Sequence, residues 1–225
     1  MGLDMYLERM PRYKNATPDD VMGVENYLDW QRRMEEGSEY ANCSSFEEWC
    51  GRKEIPSFDM IDFYTPFYKA YYSDWDTEHL HPWMRIHEEV GYWRKANHIH
   101  NWFVENIQDG EDDCHYHREV GKADLLDLLD ICEVVLASCN LIEGEVCNGH
   151  SYRNGVETPI MEHGKYVEDP KTAKELLPTT GGFFFGGTDY DEWYVESIKD
   201  TIRIIRNVLA TTNFDTHMIC YISSW

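Results

Sequence analysis

Between residues 122 and 139 the apolar side chains fall along one side of a helix: Leu125, Leu128, Leu129, Cys132, Val135, Leu136 and Cys139 recur at spacings of three and four. A stripe of that length has to be covered by other elements, so the chain must fold in layers. The same period returns after residue 188. Thr188 and Asp191 supply a capping box there, and Tyr194, Ile198, Ile202 with Thr201, Ile205 and Leu209 form a face running to about Ala210. The two ends have a different rhythm. Leu3, Met5 and Leu7 alternate with Asp4, Tyr6 and Glu8, a period of two that predicts a strand, and the closing HMICYISSW is strand-like as well. Terminal strands that flank amphipathic helices predict an α+β fold. In it a small antiparallel sheet, including the N- and C-terminal strands, is packed with several amphipathic helices, and the first and last strands are expected to pair.

The rest of the chain is less regular. Thr17-Pro18-Asp19-Asp20 predicts a helix start, with a run to about Glu36 and a stop at Gly37. Ser45-Phe46-Glu47-Glu48 opens a second, short helix. Residues 55–88 are rich in aromatics and Asp without a clear period, which reads as an irregular elaboration and a candidate partner-binding surface. Residues 92–107 read as a helix with Tyr92, Ala96, Ile99, Phe103 and Ile107 on one face, followed by a short strand within 114–120. The polar, glycine-containing stretch 140–172 is expected to be a flexible loop or hairpin insertion. A chain of 225 residues can bury roughly 70% of its unfolded surface, so the reading is one domain over 1–225 with elaborations at about 10–88 and 140–172.

Charge narrows the partners. The chain carries 20 Lys and Arg against 42 Asp and Glu, a formal net charge of −22. Such a surface repels nucleic acid and anionic membrane and attracts cations or basic protein surfaces. No apolar run approaches the ~20 residues of a membrane span, and the MGLDMYLERM start is not a signal peptide. The seven cysteines are odd in number and include no CxxC, so reduced thiols and a cytoplasmic setting are expected, with Cys132 and Cys139 as small core residues.

Four stretches could carry chemistry. Tyr92-Trp93-Arg94-Lys95, placed at a helix start, would set two cations beside aromatic faces and could grip an anion while stacking a planar ring; alternatively Trp93 is core and the cations pair with nearby acids. GGFFFGG at 181–187 could bring a ligand to the amides of 186–189, or be a buried strand between tight turns; it is neither a P-loop nor GxGxxG. The HxH pairs His79/His81, His98/His100 and His115/His117 raise a metal site, although residues two apart on a helix diverge by about 200°. Cys114 beside histidines could be an activated thiol, but no GxSxG or HExxH is present. No cofactor, metal site or catalytic residue is assigned.

Several blocks occurring in order, MGLDMYL, GYWRKANHIHNWF at 91–103, LPTTGGFFFG at 177–186 and YISSW, resemble a family of bacteriophage and prophage proteins. The resemblance covers about half the chain and leaves out residues 10–88 and 140–172. It implies a phage-borne accessory protein in the cytoplasm of a bacterial host, and it carries no catalytic residues. Because these blocks are rich in Trp, Arg, Lys, His and Gly, they are expected to converge on one pocket lined by Asp4, Tyr6, Trp93, Arg94, Lys95, His100, Trp102, Thr180, Gly186 and Tyr221. Such a pocket suits a small nucleotide-like ligand, as in a counter-defence sponge that sequesters a host signalling nucleotide. Two alternatives stand beside it: an acidic, nucleic-acid-mimicking inhibitor that binds a host defence protein through a basic surface, and a nucleotide-processing enzyme. Direct nucleic-acid binding is not expected, and a homo-oligomer is left open.

Overall fold

Leu3, Met5 and Leu7 of β1 (Asp4–Pro11, with Leu3 just before it) are fully buried while Asp4, Tyr6 and Glu8 between them are not, as the period of two requires. A computed structural model of the chain describes residues 2–12, 17–19, 21–23, 87–114, 116–153, 155–182 and 184–225. The described elements continue with β2 (Glu88–Arg94), α1 (Asn97–Ile107), β3 (Arg118–Val120), α2 (Lys122–Ser138), β4 (Leu141–Arg153), β5 (Val156–Val167), α3 (Lys171–Leu176), α4 (Glu192–Thr211) and β6 (His217–Ser224). The expected helix beyond Gly23, the box at Ser45, residues 55–86, His79, His81, His115, Cys43 and Cys50 lie outside the described residues. The start of the first expected helix is present: residues 18–19 and 21–23 are helical and Val21 N donates to Thr17 O.

The fold is α+β. Four strands form one sheet in the order β2-β1-β6-β3. β3 runs antiparallel to β6, with Val120 opposite Ile219. β1 and β2 are antiparallel because Lys95, after β2, donates to Leu3 O at one end while Arg9 pairs with Glu88 at the other. Arg12 N donates to Thr216 O, which sets the end of β1 against the start of β6. The two terminal strands therefore sit side by side. Backbone contacts divide the chain into two compact units, Met1–Glu8 with Glu89–Phe214 and Ile219–Trp225, and Arg9–Glu88 with Asp215–Met218. The first holds the core. In it Leu3, Met5, Leu7, Trp93, Val120, Ile219 and Tyr221 meet Ile99 and Phe103 of α1, Leu125, Leu128 and Cys132 of α2, and Ile198, Ile202 and Ile205 of α4. Burying each such aliphatic side chain is worth about 1.5–3 kcal/mol.

Residues 92–95 depart from expectation. Tyr92-Trp93-Arg94 belongs to β2, not to a helix start, and the helix begins at Asn97. The cause is local. Tyr92 and Arg94 face out while Gly91 and Trp93 face in, a strand alternation, and Lys95 takes a left-handed φ of 59° that ends the strand. Gly91 is required there. A Cβ at this position would lie 2.5 Å from Ile204 Cγ2 and 3.3 Å from Leu7 Cβ, so glycine lets α4 lie close on the sheet. Trp93 Nε1 donates to Thr201 Oγ1 at 2.9 Å and ties the same two elements. The α4 N-cap is Asp191, whose carboxylate accepts from Tyr194 N, and not Thr188. Stretch 140–172 is a hairpin, β4 paired with β5 with a register shift between Cys147 and His150, running into α3.

The HxH pair in α1 is part of this packing. His98 Nε2 meets Ser197 Oγ at 3.0 Å and its ring lies 4.3 Å from Tyr194. Ser197 donates its own proton to Tyr194 O, so His98 is the donor to Ser197. Burial pushes the His98 pKa down to about 3.

Two expectations follow. The unfolded chain protonates His98 near pH 6.5 and the folded chain does not until about pH 3, so its contribution is complete above pH 6.5 and is lost as pH falls toward 3. Urea unfolding at pH 6.5 and pH 5 should show a loss from this site of about 1.4 kcal/mol per pH unit, and His98→Gln should flatten that slope. Gly91→Ala should destabilise by about 1–3 kcal/mol, and by less in an Ile204→Ala background; a full cost in both would refute the close approach.

Candidate functional site

The first unit gathers one corner from three segments. Leu3 N donates to Phe184 O at 3.0 Å and Leu3 O accepts from Lys95 N at 2.8 Å, so residues 2–3 lie between the end of β2 and the 178–190 loop. A Cβ at Gly2 would rest 3.4 Å from Lys95 Cε and 3.5 Å from Arg94 Nη2, and one at Gly186 would crowd Lys95 Cβ at 3.0 Å. Gly186 has φ 92°, which only glycine adopts without strain. Lys95, a non-glycine residue at positive φ, carries a backbone cost of the order of 1 kcal/mol that the surrounding bonds must offset.

Asn97 builds the loop side. This buried side chain donates from Nδ2 to Phe185 O (3.1 Å) and Gly187 O (2.8 Å) and accepts at Oδ1 from Thr180 N (3.0 Å). Thr179 adds a bond from Oγ1 to Thr188 O, and Tyr190 Oη accepts from Thr179 N. The glycine-rich segment is therefore a fixed loop and not a buried strand. Asn97 was not among the residues anticipated. Its signal was a polar amide at a helix start otherwise crowded with aromatics.

On the outer face of β1 and β2, Tyr92 Oη donates to Asp4 Oδ1 at 2.5 Å, and the Tyr6 and Tyr92 ring centroids are 5.3 Å apart. The bond to Asp4 holds the Tyr92 phenol above its ordinary pKa, and burial does the same for Tyr6. Tyr92, Arg94 and Lys95 are exposed. Arg94 and Lys95 have no salt bridge to a described carboxylate, whereas Arg9, Arg118, Lys165, Lys199, Arg203 and Arg206 all do. The α1 N-cap just beyond is Ala96, with no side-chain cap and no acid in the first turn, so the positive end of the helix dipole is unneutralised there.

The other anticipated residues lie beneath. Trp93 and Trp102 are core, Trp102 edge-on to Phe103 at 5.2 Å. Tyr221 is fully buried and stacks on Phe103 at 4.0 Å. His100 Nε2 meets Asp112 Oδ2 at 3.0 Å and Nδ1 meets Tyr221 Oη at 2.7 Å. A carboxylate can only accept, so Nε2 carries the proton and Tyr221 donates to Nδ1. Burial lowers the His100 pKa against the pull of Asp112, which keeps the ring neutral. Asp112 also accepts from Trp225 Nε1 at 2.9 Å, and Phe185 packs edge-on to both His100 and Trp225. Asp4, Tyr6, Arg94, Lys95, Thr180 and Gly186 thus border the corner, while Trp93, His100, Trp102 and Tyr221 support it from inside.

No three metal-ligating side chains converge among the described residues. His117 pairs with Glu8, away from His98 and His100. Burial raises the thiol pKa of Cys114, and that of Cys132 to about 12, which leaves both protonated near neutral pH. Among the described residues no helix is long and apolar enough to cross a membrane. Comparison with protein-family models, curated proteins and solved structures gives no match to the chain. What defines the protein is therefore its own geometry: an α+β fold with an exposed aromatic and cationic corner backed by a buried polar network.

Asn97→Ala should free the 180–187 loop. Hydrogen exchange should accelerate at the Thr180 amide, and stability should fall by about 1–3 kcal/mol for the bonds left unmade; unchanged exchange would show that the loop is held elsewhere.

Proposed function

We propose that this chain binds a small anionic ligand of the nucleotide class at the corner bordered by Gly2, Tyr92, Arg94, Lys95 and Gly186. The observation that carries the reading is the pair Arg94 and Lys95: adjacent exposed cations, unpaired with described carboxylates, in a chain of net charge −22. In so acidic a protein a cation left without an acid is available for an external anion. The guanidinium and ammonium would take a phosphate. The rings of Tyr92 and Tyr6 offer a face for a planar base, and the Asp4 carboxylate can accept from a ribose hydroxyl or an exocyclic amine. Gly187 and Thr188 are exposed residues, and their backbone amides would add donors.

The accessible groups are donors, acceptors and ring faces, which favours binding without turnover. We place the protein among phage-borne accessory proteins of the bacterial cytoplasm, following the likeness of its GLDMYL, GYWRK and TTGGFFFG blocks, and assign it the sequestering of a host signalling nucleotide.

Native mass spectrometry of the purified chain, followed by denaturation and mass analysis of what is released, tests this. A nucleotide-sized mass should appear. Arg94→Ala should weaken its binding about tenfold or more without moving the unfolding midpoint, and added salt should weaken the wild-type complex. Arg94→Ala binding as tightly as wild type would overturn the site, and release of a converted product would replace the binder with an enzyme.

A further inference from the structure

The β4–β5 hairpin is a ribbon of two strands that pairs with no other described strand, its register running from Leu141 opposite Val167 to Arg153 opposite Val156. Two-stranded ribbons are marginal alone and gain from a third strand. The two outer edges differ. At its base, β5 is already engaged: Val167 N donates to Tyr190 O and Tyr166 bridges Asp191. Further out, Pro159 brings no N–H to the strand. β4 is interrupted only beyond Cys147, where the register shifts before His150 and Gly149 takes φ 109°. Residues 141–146 have no second strand beside them among the described residues, an edge roughly 20 Å long.

The side chains along that edge are sorted by face. Glu143 and Glu145 point to one side, opposite Lys165 and His163, and both are exposed. Lys165 is drawn off toward Glu192. Ile142 and Val146 lie on the other side with Tyr166, which is 37% exposed. Beyond Leu141, which packs on the core, a strand laid beside β4 would thus meet the Glu143 and Glu145 carboxylates on one face and Ile142 and Val146 on the other. A second copy of β4 is a poor occupant, because it would set Glu143 and Glu145 against the same acids. A strand alternating basic and apolar residues matches both faces.

The geometry points to the 141–146 edge of β4 as a docking site for an extended, basic segment of another protein, added as a third strand. Backbone hydrogen bonds supply the affinity and the Glu143/Glu145 row selects a basic sequence over an acidic one. This surface is separate from the Arg94–Lys95 corner and stands or falls independently of it.

The test uses the whole chain and a labelled peptide of about eight residues alternating lysine and valine. Anisotropy should report binding of this peptide and none of a glutamate–valine counterpart. Methylating alternate backbone nitrogens of the peptide should weaken it, and hydrogen exchange should slow at amides within 141–146. The pair Glu143→Lys and Glu145→Lys should weaken binding about tenfold or more, while Asp127→Lys with Asp130→Lys, an equal charge change on the exposed side of α2, should have little effect. Equal losses from the two pairs would reduce the effect to diffuse attraction. Indifference to N-methylation would remove the added strand. Self-association abolished by the Glu143 and Glu145 changes would assign the edge to a second copy. Each of these results overturns the proposal.

Discussion

The carboxamide of Asn97 is the bond on which the candidate site depends. It is buried at the start of α1, and three of its four hydrogen-bonding positions are spent on backbone atoms of one loop. An amide in that position is costly unless satisfied, so the loop and the helix start require each other. Leu3 repeats the principle with its main chain, bonding Phe184 on one side and Lys95 on the other. The chain from Tyr221 through His100 to Asp112 and Trp225 closes the arrangement from below. The exposed corner is backed by polar groups of which Asn97, His100 and Tyr221 are buried.

The buried histidines and tyrosine of this unit share a second property: they are neutral. His98 and His100 are both held below the ordinary histidine pKa by burial, and Tyr221 is held well above the ordinary phenol value for the same reason. Among the described residues no Asp, Glu, Lys or Arg is fully buried, and Arg9, Arg118, Lys165, Lys199, Arg203 and Arg206 each pair with an acid. Lys122, Lys171 and Lys174 also lack such a partner among the described acids; Arg94 and Lys95 differ from them in being adjacent and in following Tyr92 on the same strand end.

Much of the fold was legible because it follows two periods. The α2 stripe, the α4 face and the alternation in β1 were each set by which residues could be covered, and the pairing of the terminal strands followed from there being two ends to bury. Residues 92–95 were misread because Tyr92, Ala96, Ile99 and Phe103 fit a helix by spacing, and spacing is blind to the contact that forces Gly91 under Ile204. The hairpin was left undecided although Asn154-Gly155 marks a two-residue turn, with Gly155 at φ 78°; the glycines within its strands blur the alternation. For the site, charge and aromatic type were readable in sequence, but depth was not. Trp93, His100, Trp102 and Tyr221 look as functional as Arg94 in a string of letters, and only burial separates the residues that support from those that touch.

Gly144 and Gly164 face each other across the β4–β5 ribbon, and each is roofed by a side chain from the other strand. Tyr166 covers Gly144 and Val146 covers Gly164, so closely that a Cβ on either glycine would fall within about 2.6 Å of its cover. The two contacts act as opposed keys. Sliding one strand by two residues would keep the faces correct but break the diagonal fit of each side chain over its glycine. The ribbon thus carries its own register, set within a few residues by side chains of its own two strands.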